Sequence, residues 1–111
     1  MKKIFRLRQG EISTLFRRSA QLEFRSFRVR ARKNFLSHAR FALVVPKSVD
    51  KRSTARNRLR RMAREWIRKN RVVPAKSLDV VLTFKKEAAA SSGQEFYAEL
   101  SSIFDELNRR F

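Results

Sequence analysis

The chain has 111 residues, 42% of them hydrophobic and ten of them Phe, which suits one modest core and argues against a disordered chain. Its formal charge is +18, from 28 Lys+Arg against 10 Asp+Glu, so a compact state repels itself unless a polyanion is usually bound. With no Cys and one histidine, His38, the chain excludes disulfides, thiolate chemistry and any His-paired metal centre of its own.

Residues 1–9, MKKIFRLRQ, read as a basic N-terminal arm, and no apolar stretch of the kind a secretory signal needs develops after it. Residues 11–20 place Ile12, Leu15, Phe16 and Ala20 at helical spacing, predicting a short first helix. In LEFRSFRVRARK the pattern alternates: Phe27, Val29 and Ala31 face one way, Ser26, Arg28, Arg30 and Arg32 the other. That is a strand with one buried and one exposed, basic face, and a further short strand fits near 21–25. ARFALVVP is a more fully buried strand ended by Pro46, and FALVVP, the longest apolar run, is far too short to span a membrane.

Residues 53–69 form the clearest helix, with Ala55, Leu59, Met62, Ala63, Trp66 and Ile67 in one apolar stripe and Ser53 or Thr54 as N-cap. SLDVVLTF follows as a strand with Leu78, Val80, Leu82 and Phe84 on one face, then KKEAAASSG as a loop. A last helix over about 94–109 buries Phe96, Leu100, Ile103, Phe104 and Leu107, and Ser92 with Glu95 fits a capping box. With no internal repeat or boundary, residues 1–111 form one domain. The order α-β-β-(β)-α-β-α predicts an α+β, two-layer sandwich of helices on a small, mostly antiparallel sheet.

The charge is unevenly placed. Residues 1–71 hold 23 Lys+Arg and 4 Asp+Glu, whereas 72–111 hold 5 and 6. Arg outnumbers Lys nineteen to nine, a bias that suits forked phosphate recognition and stacking on bases. The last helix obeys the macrodipole, with Glu95 and Glu99 early and Arg109 and Arg110 late. The 53–69 helix opposes it: Lys51 and Arg52 precede it, and Arg56, Arg58, Arg60 and Arg61 crowd its first turns. Each exposed cation there costs about 0.3–1 kcal/mol, so replacing Arg56 or Arg60 by Ala is expected to leave the fold as stable, or slightly more so. Choices that oppose local stability mark functional sites. A solvated, Arg-rich surface suffices for Arg68, Lys69 and Arg71, whereas nucleic-acid phosphate is the better account of Arg56 to Arg64.

ARNRLRRMAREWIR closely resembles the signature of the protein subunit of bacterial ribonuclease P, in which an Arg-Asn-Arg triplet, here Arg56-Asn57-Arg58, opens a basic helix. Leu59, Arg60, Arg61 and Arg64 continue the pattern, and the flanking elements occur in the family's order over most of 7–108. The resemblance departs at Ser53-Thr54, where the family usually carries a small apolar pair, and at Ile12, where it often carries Phe. It implies a left-handed β-α-β crossover through the triplet helix. It also implies a protein that assists a catalytic RNA in removing 5′ leaders from precursor tRNA, strengthening substrate and magnesium binding. The expected cofactor is Mg2+, bound mainly by the RNA subunit and substrate.

The candidate RNA contacts are therefore Arg56, Asn57, Arg58, Arg60, Arg61 and Arg64, with Lys47, Lys51 and Arg52 on phosphates at the helix start. The leader cleft implied by the family adds Phe16, Ile12, Arg28 and Arg30. Phe16 is open between core packing and base stacking, and Ile12, unable to stack, is read as packing. Asn57 is open between a phosphate contact, ordering of the first turn and support of a metal-bound water. Trp66 and Tyr97 read as core and His38 as a loop residue. The acids show no carboxylate pair, so no catalytic residue or metal site is expected in the protein itself. The expected partners are the ribonuclease P RNA and the precursor leader, in the cytoplasm, with no membrane and no obligate protein partner. A structural ribosomal protein is the alternative by composition, and a DNA-binding protein with 53–69 as recognition helix ranks last.

Overall fold

A computed structural model describes residues 7–17, 19–36, 38–70 and 77–111, the side chains of 13–16 excepted. Its elements are α1 (Gln9–Arg17), β1 (Ala20–Glu23), β2 (Phe27–Lys33), β3 (Arg40–Val44), α2 (Ser53–Lys69), β4 (Leu78–Phe84), α3 (Lys86–Ala90) and α4 (Gly93–Arg110). The α+β reading holds.

One four-stranded sheet runs in the order β1-β2-β4-β3, and only the β3–β4 pair is parallel. The parallel pair exists because α2 carries the chain back to the end of the sheet where β3 began. β4 lies centrally between two neighbours, which is why SLDVVLTF reads as an apolar run rather than a clean alternation: Leu78, Val80, Val81, Leu82 and Phe84 are all buried. Position 79 breaks that run with an acid.

The main core lies on one face of the sheet. Phe27, Val29 and Ala31 of β2 and Val80, Leu82 and Phe84 of β4 meet Ala63 and Ile67 of α2 and the five predicted apolar residues of α4. Phe27, Phe84 and Phe96 form an aromatic cluster with ring centroids 4.8 to 6.1 Å apart. Trp66 stacks on Phe104 at 5.5 Å, fixing α2 beside α4. α4 begins in the predicted capping box: Ser92 Oγ accepts from the Glu95 N–H at 3.1 Å, and Glu95 accepts from the Ser92 N–H at 3.0 Å.

Several expectations need correction. α1 starts at Gln9 and ends at Arg17, so Ala20 belongs to β1, the short strand that pattern left open. The basic arm is shorter than read, because Leu7 is buried and its N–H bonds the Phe41 carbonyl at 3.0 Å, while residues 1–6 lie outside the described set. The loop after β4 contains α3, whose Ala88 is buried. Neither Ser53 nor Thr54 caps α2: both lie within the helix, and the N-cap is Arg52, with no side-chain cap bond. Tyr97 is 38% exposed, an edge contact of Phe96 rather than core.

α1 does not join the other helices. Ile12, with Leu7, packs on Ala42, Val44 and Val81, which project from the opposite face of the sheet. The fold is thus two layers with a partial third.

Candidate nucleic-acid interface

Alternation along the strands and the register between them set out the outer sheet face in rows. Glu23, Arg28, Thr83 and Val44 make one; Gln21, Arg30, Val81 and Ala42 the next; Arg32, Asp79 and Arg40 the last. α1 and Leu7 cover the β3 side of this face, on Ala42, Val81 and Val44, and Glu11 reaches Arg40 in the last row, which leaves the β1–β2 side of the Arg28 row open. The Arg28 row lies at the end of the sheet from which the chain leaves Val44 toward α2, so it shares that end with Lys47, Lys51, Arg52 and the triplet.

On α2 the buried centre is Ala63 and Ile67, and one flank, with Met62 and Trp66, turns to α4. Arg56, Arg60 and Arg64, spaced by four, line the other flank and are half-buried; Asn57, Arg58 and Arg61 are exposed. Arg56 Nη1 donates to the carbonyls of Asp50 and Lys51, both at 2.9 Å, bracing the loop that enters the helix. This corrects the expectation that Arg56 is dispensable to the fold. Arg60 donates to Asn57 Oδ1, so these two side chains are held together about one turn apart. Arg64 Nε is buried with no hydrogen-bond partner in the described structure.

The entry loop is cationic and partly self-paired. Lys47 and Lys51 are exposed, and Arg52 bridges Asp50 at 3.1 Å. That guanidinium, with the Arg52 backbone N–H, holds the Asp50 carboxyl below its ordinary value. The first turn of α2 contains no acid, so its free N–H groups add their positive end to the cations around them. The one acid on the helix, Glu65, pairs with Arg68 at 2.8 Å, away from the triplet.

Arg28 lies on the outer face as its alternation predicts, within a charge network. Its Nε lies 2.6 Å from Glu23 Oε1, and Lys85 lies 2.6 Å from the same carboxylate. Lys85 first, then Arg28, pull Glu23 down to about 2. Arg28 thus faces solvent within a charge network, half of its side chain still exposed. Arg30 is half-buried in the middle row. Ile12 packs as read, and the Phe16 side chain lies outside the described set.

Sequence reasoning missed the group that fixes α1. Asp79, 1% exposed, accepts from Arg40 Nε at 2.9 Å and Nη2 at 2.8 Å and from Asn34 Nδ2 at 2.9 Å. Arg40 Nη1 donates onward to Glu11 of α1. The Arg8 N–H, at 2.8 Å, and then Arg40 hold the Glu11 carboxyl below its ordinary value, while Asp79 chiefly raises Arg40. An acid inside an apolar strand was the available signal: a buried carboxylate requires a cation, and its strand neighbour supplies one.

Among the described residues no group of three or more His, Cys, Asp or Glu gathers as metal ligands, and no helix is long and apolar enough to cross a membrane. α2 follows a strand and a loop, which is not the helix-turn-helix setting of a major-groove reader.

A family model described as Ribonuclease P matches residues 1–108. The chain is similar to the ribonuclease P protein component of Chromobacterium violaceum, at 36% identity over 93% of this chain and 84% of that protein. It is also 39% identical to the protein of the same name from Aliivibrio fischeri, over 75% of this chain and 70% of that one. Among solved structures, the ribonuclease P protein of Thermotoga maritima superposes with a TM-score of 0.82 at 27% identity, covering 91% of this chain and 96% of that one. The Staphylococcus aureus ribonuclease P protein, at 16% identity, shares the fold with a TM-score of 0.84 over 93% and 94% of the two chains.

Proposed function

This chain belongs to the ribonuclease P family, and on that premise we propose that it is the RNA-binding protein subunit of ribonuclease P, assisting a catalytic RNA in removing 5′ leaders from precursor tRNA. The observation that carries the reading is the start of α2, where cations replace the acids and the side-chain cap that a stable helix prefers. Phosphate supplies the missing negative charge. Arg58, Arg60, Arg61 and Arg64, with Lys47, Lys51 and Arg52, take RNA backbone. Arg56 divides its guanidinium between the loop carbonyls and phosphate, and Asn57 holds Arg60 in place.

The 5′ leader runs on the outer sheet face, past Arg28 and Arg30 and against α1 with Ile12 and Phe16. A basic, open sheet face tolerates many leader sequences, because phosphate contacts position a strand without reading it. The Glu11–Arg40–Asp79 group sets where α1 stands and so how wide that channel is.

Magnesium takes oxygen ligands, chiefly carboxylates and water. Here Asp79 and Glu11 are bound by Arg40, Glu23 by Arg28 and Lys85, and Asp50 by Arg52, so these carboxylates do not fit a magnesium site. In this proposal the metal is held by the RNA subunit and the substrate, and the chain contributes no catalytic residue. Its cations screen the repulsion between two polyanions, which lowers the magnesium that assembly requires. The site of action is the cytoplasm. The ribosomal alternative left open by composition finds no support in the matches.

Reconstitution tests the reading. Mixed with a bacterial ribonuclease P RNA at low magnesium, the protein is expected to raise cleavage of precursor tRNA severalfold, with binding that falls steeply as salt rises. Unchanged cleavage at every magnesium concentration would refute it.

A further inference from the structure

Phe35, in the loop between β2 and β3, departs from ordinary practice in two ways at once. Its side chain is 92% exposed, and its φ of 59° makes it the one non-glycine residue with positive φ among those described. A bulky side chain in the left-handed region is a genuine outlier, and a fold gains nothing from an aromatic ring left in water. Leu36 beside it is 41% exposed.

The stretch 34–36 is tied to the sheet. Asn34 anchors it with four hydrogen bonds: its side-chain amide donates to Asp79 at 2.9 Å and to the His38 carbonyl at 3.1 Å. Its Oδ1 accepts from the Leu36 N–H at 2.8 Å, and its own N–H donates to the Ser77 carbonyl at 3.1 Å. The ring is therefore held outward on a pedestal tied to the buried carboxylate of the central strand. Along the chain its neighbours are of one sign: between Glu23 and Asp50 the sequence carries seven Lys and Arg and no acid, and the nearby Asp79 carboxylate is taken up by Arg40 and Asn34. Lys33, two residues away, is exposed.

A flat apolar face beside cations matches a nucleobase with its phosphate. We propose that Phe35 is a base-stacking contact for an unpaired nucleotide of the catalytic RNA subunit, a proposal that rests on the subunit reading above. The leader is not the occupant. Phe35 lies beyond the end of the sheet that α1 and the Glu11–Arg40–Asp79 group close, seven residues from Arg28 and so about 20 Å from the open row.

The test compares wild type, Phe35→Gly and Phe35→Trp for binding to a bacterial ribonuclease P RNA transcript, with thermal unfolding in parallel. Glycine accepts this φ without strain and the exposed ring packs on nothing that folding needs, so Phe35→Gly should melt at or above the wild-type temperature. It should bind the RNA about 5- to 150-fold more weakly, the value of one stacked base, with an unaltered salt slope. Phe35→Trp should bind like wild type, and the preformed holoenzyme's preference for leader-bearing over leaderless precursor should not change. Wild-type affinity in Phe35→Gly, equal loss in Phe35→Trp, or a loss confined to leader-bearing precursor would each overturn the proposal. If wild type stimulates cleavage while Phe35→Gly binds normally, only the stacking contact fails; if wild type neither binds nor stimulates, the subunit reading falls first.

Discussion

Arg56 and Arg60 occupy equivalent faces of α2 one turn apart, yet their replacement by alanine should have different effects on folding. Arg56→Ala removes the nitrogen that holds the carbonyls of Asp50 and Lys51 at 2.9 Å each. A hydrogen bond from a charged donor contributes about 1.5–3 kcal/mol when buried, and this shared, partly exposed one belongs near the lower limit. Removing a cation from the first turns returns about 0.3–1 kcal/mol, so the net loss is about 1 kcal/mol. For a chain of this length that lowers the melting temperature by about 4 °C. Arg60→Ala loses only an exposed bond to Asn57, worth about 0.2–0.5 kcal/mol, against a smaller relief because it stands beyond the first turn, and should melt within about 2 °C of wild type. Both variants should bind RNA more weakly, each reducing the slope of log affinity against log salt by about 0.7–0.9 for every phosphate that is no longer neutralised. Circular dichroism melts and a salt series of filter binding measure the two quantities independently. Equal melting of the two variants, or a destabilised Arg60→Ala beside an intact Arg56→Ala, would refute this assignment of roles.

Arg40→Ala leaves Asp79 buried without its main cation and should destabilise the fold by about 3–5 kcal/mol in denaturant titration. Glu11 has a lowered carboxyl pKa, so its contribution is fully present above the ordinary value near 4.5 and is lost as pH falls through its folded value; the stabilities of wild type and Glu11→Gln should differ at pH 7 and converge in acid. Glu23, at about 2, should titrate in NMR well below an ordinary glutamate, and Lys85→Ala should move it upward, since Lys85 is its principal partner. Phe104→Ala removes the stacking partner of Trp66 and the edge contact to Phe41, and should cost about 3–5 kcal/mol in equilibrium unfolding.

The period of the apolar residues carried most of the fold. α2 and α4 were legible because long stripes with a 3.6-residue repeat have one interpretation, and the capping box at Ser92 marked an end to within a residue. Fuller burial was expected of β3, which is a half-buried edge strand, and β4 was legible only as a strand with one apolar face. Its central place was not, since which strand pairs with which is decided by partners far along the chain. For the same reason the position of α1 on the opposite face could not be read: its nine residues show an amphipathic helix without saying what its apolar side meets. The Arg-Asn-Arg helix was recognisable through its conflict with the macrodipole. The bracing role of Arg56 was not, because its acceptors are backbone carbonyls, which every residue has. Asp79 could be flagged as a misplaced charge, but naming Arg40 and Glu11 as its associates required the β3–β4 register and the placement of α1.

The strand order has a consequence for how the chain comes into being. β2 and β3 are neighbours in sequence yet do not touch as strands, because β4 lies between them and is made only after α2. During synthesis the β1–β2 hairpin can close early, while β3 waits with an unpaired edge for more than thirty residues. By then the ribosome has released nearly all of the chain's positive charge, 23 of its 28 Lys and Arg lying in residues 1–71. A nascent chain this cationic resists collapse through its own repulsion, and an RNA that neutralises it favours the insertion of β4. Refolding in vitro should therefore quicken when a polyanion is added before the last strand has found its place.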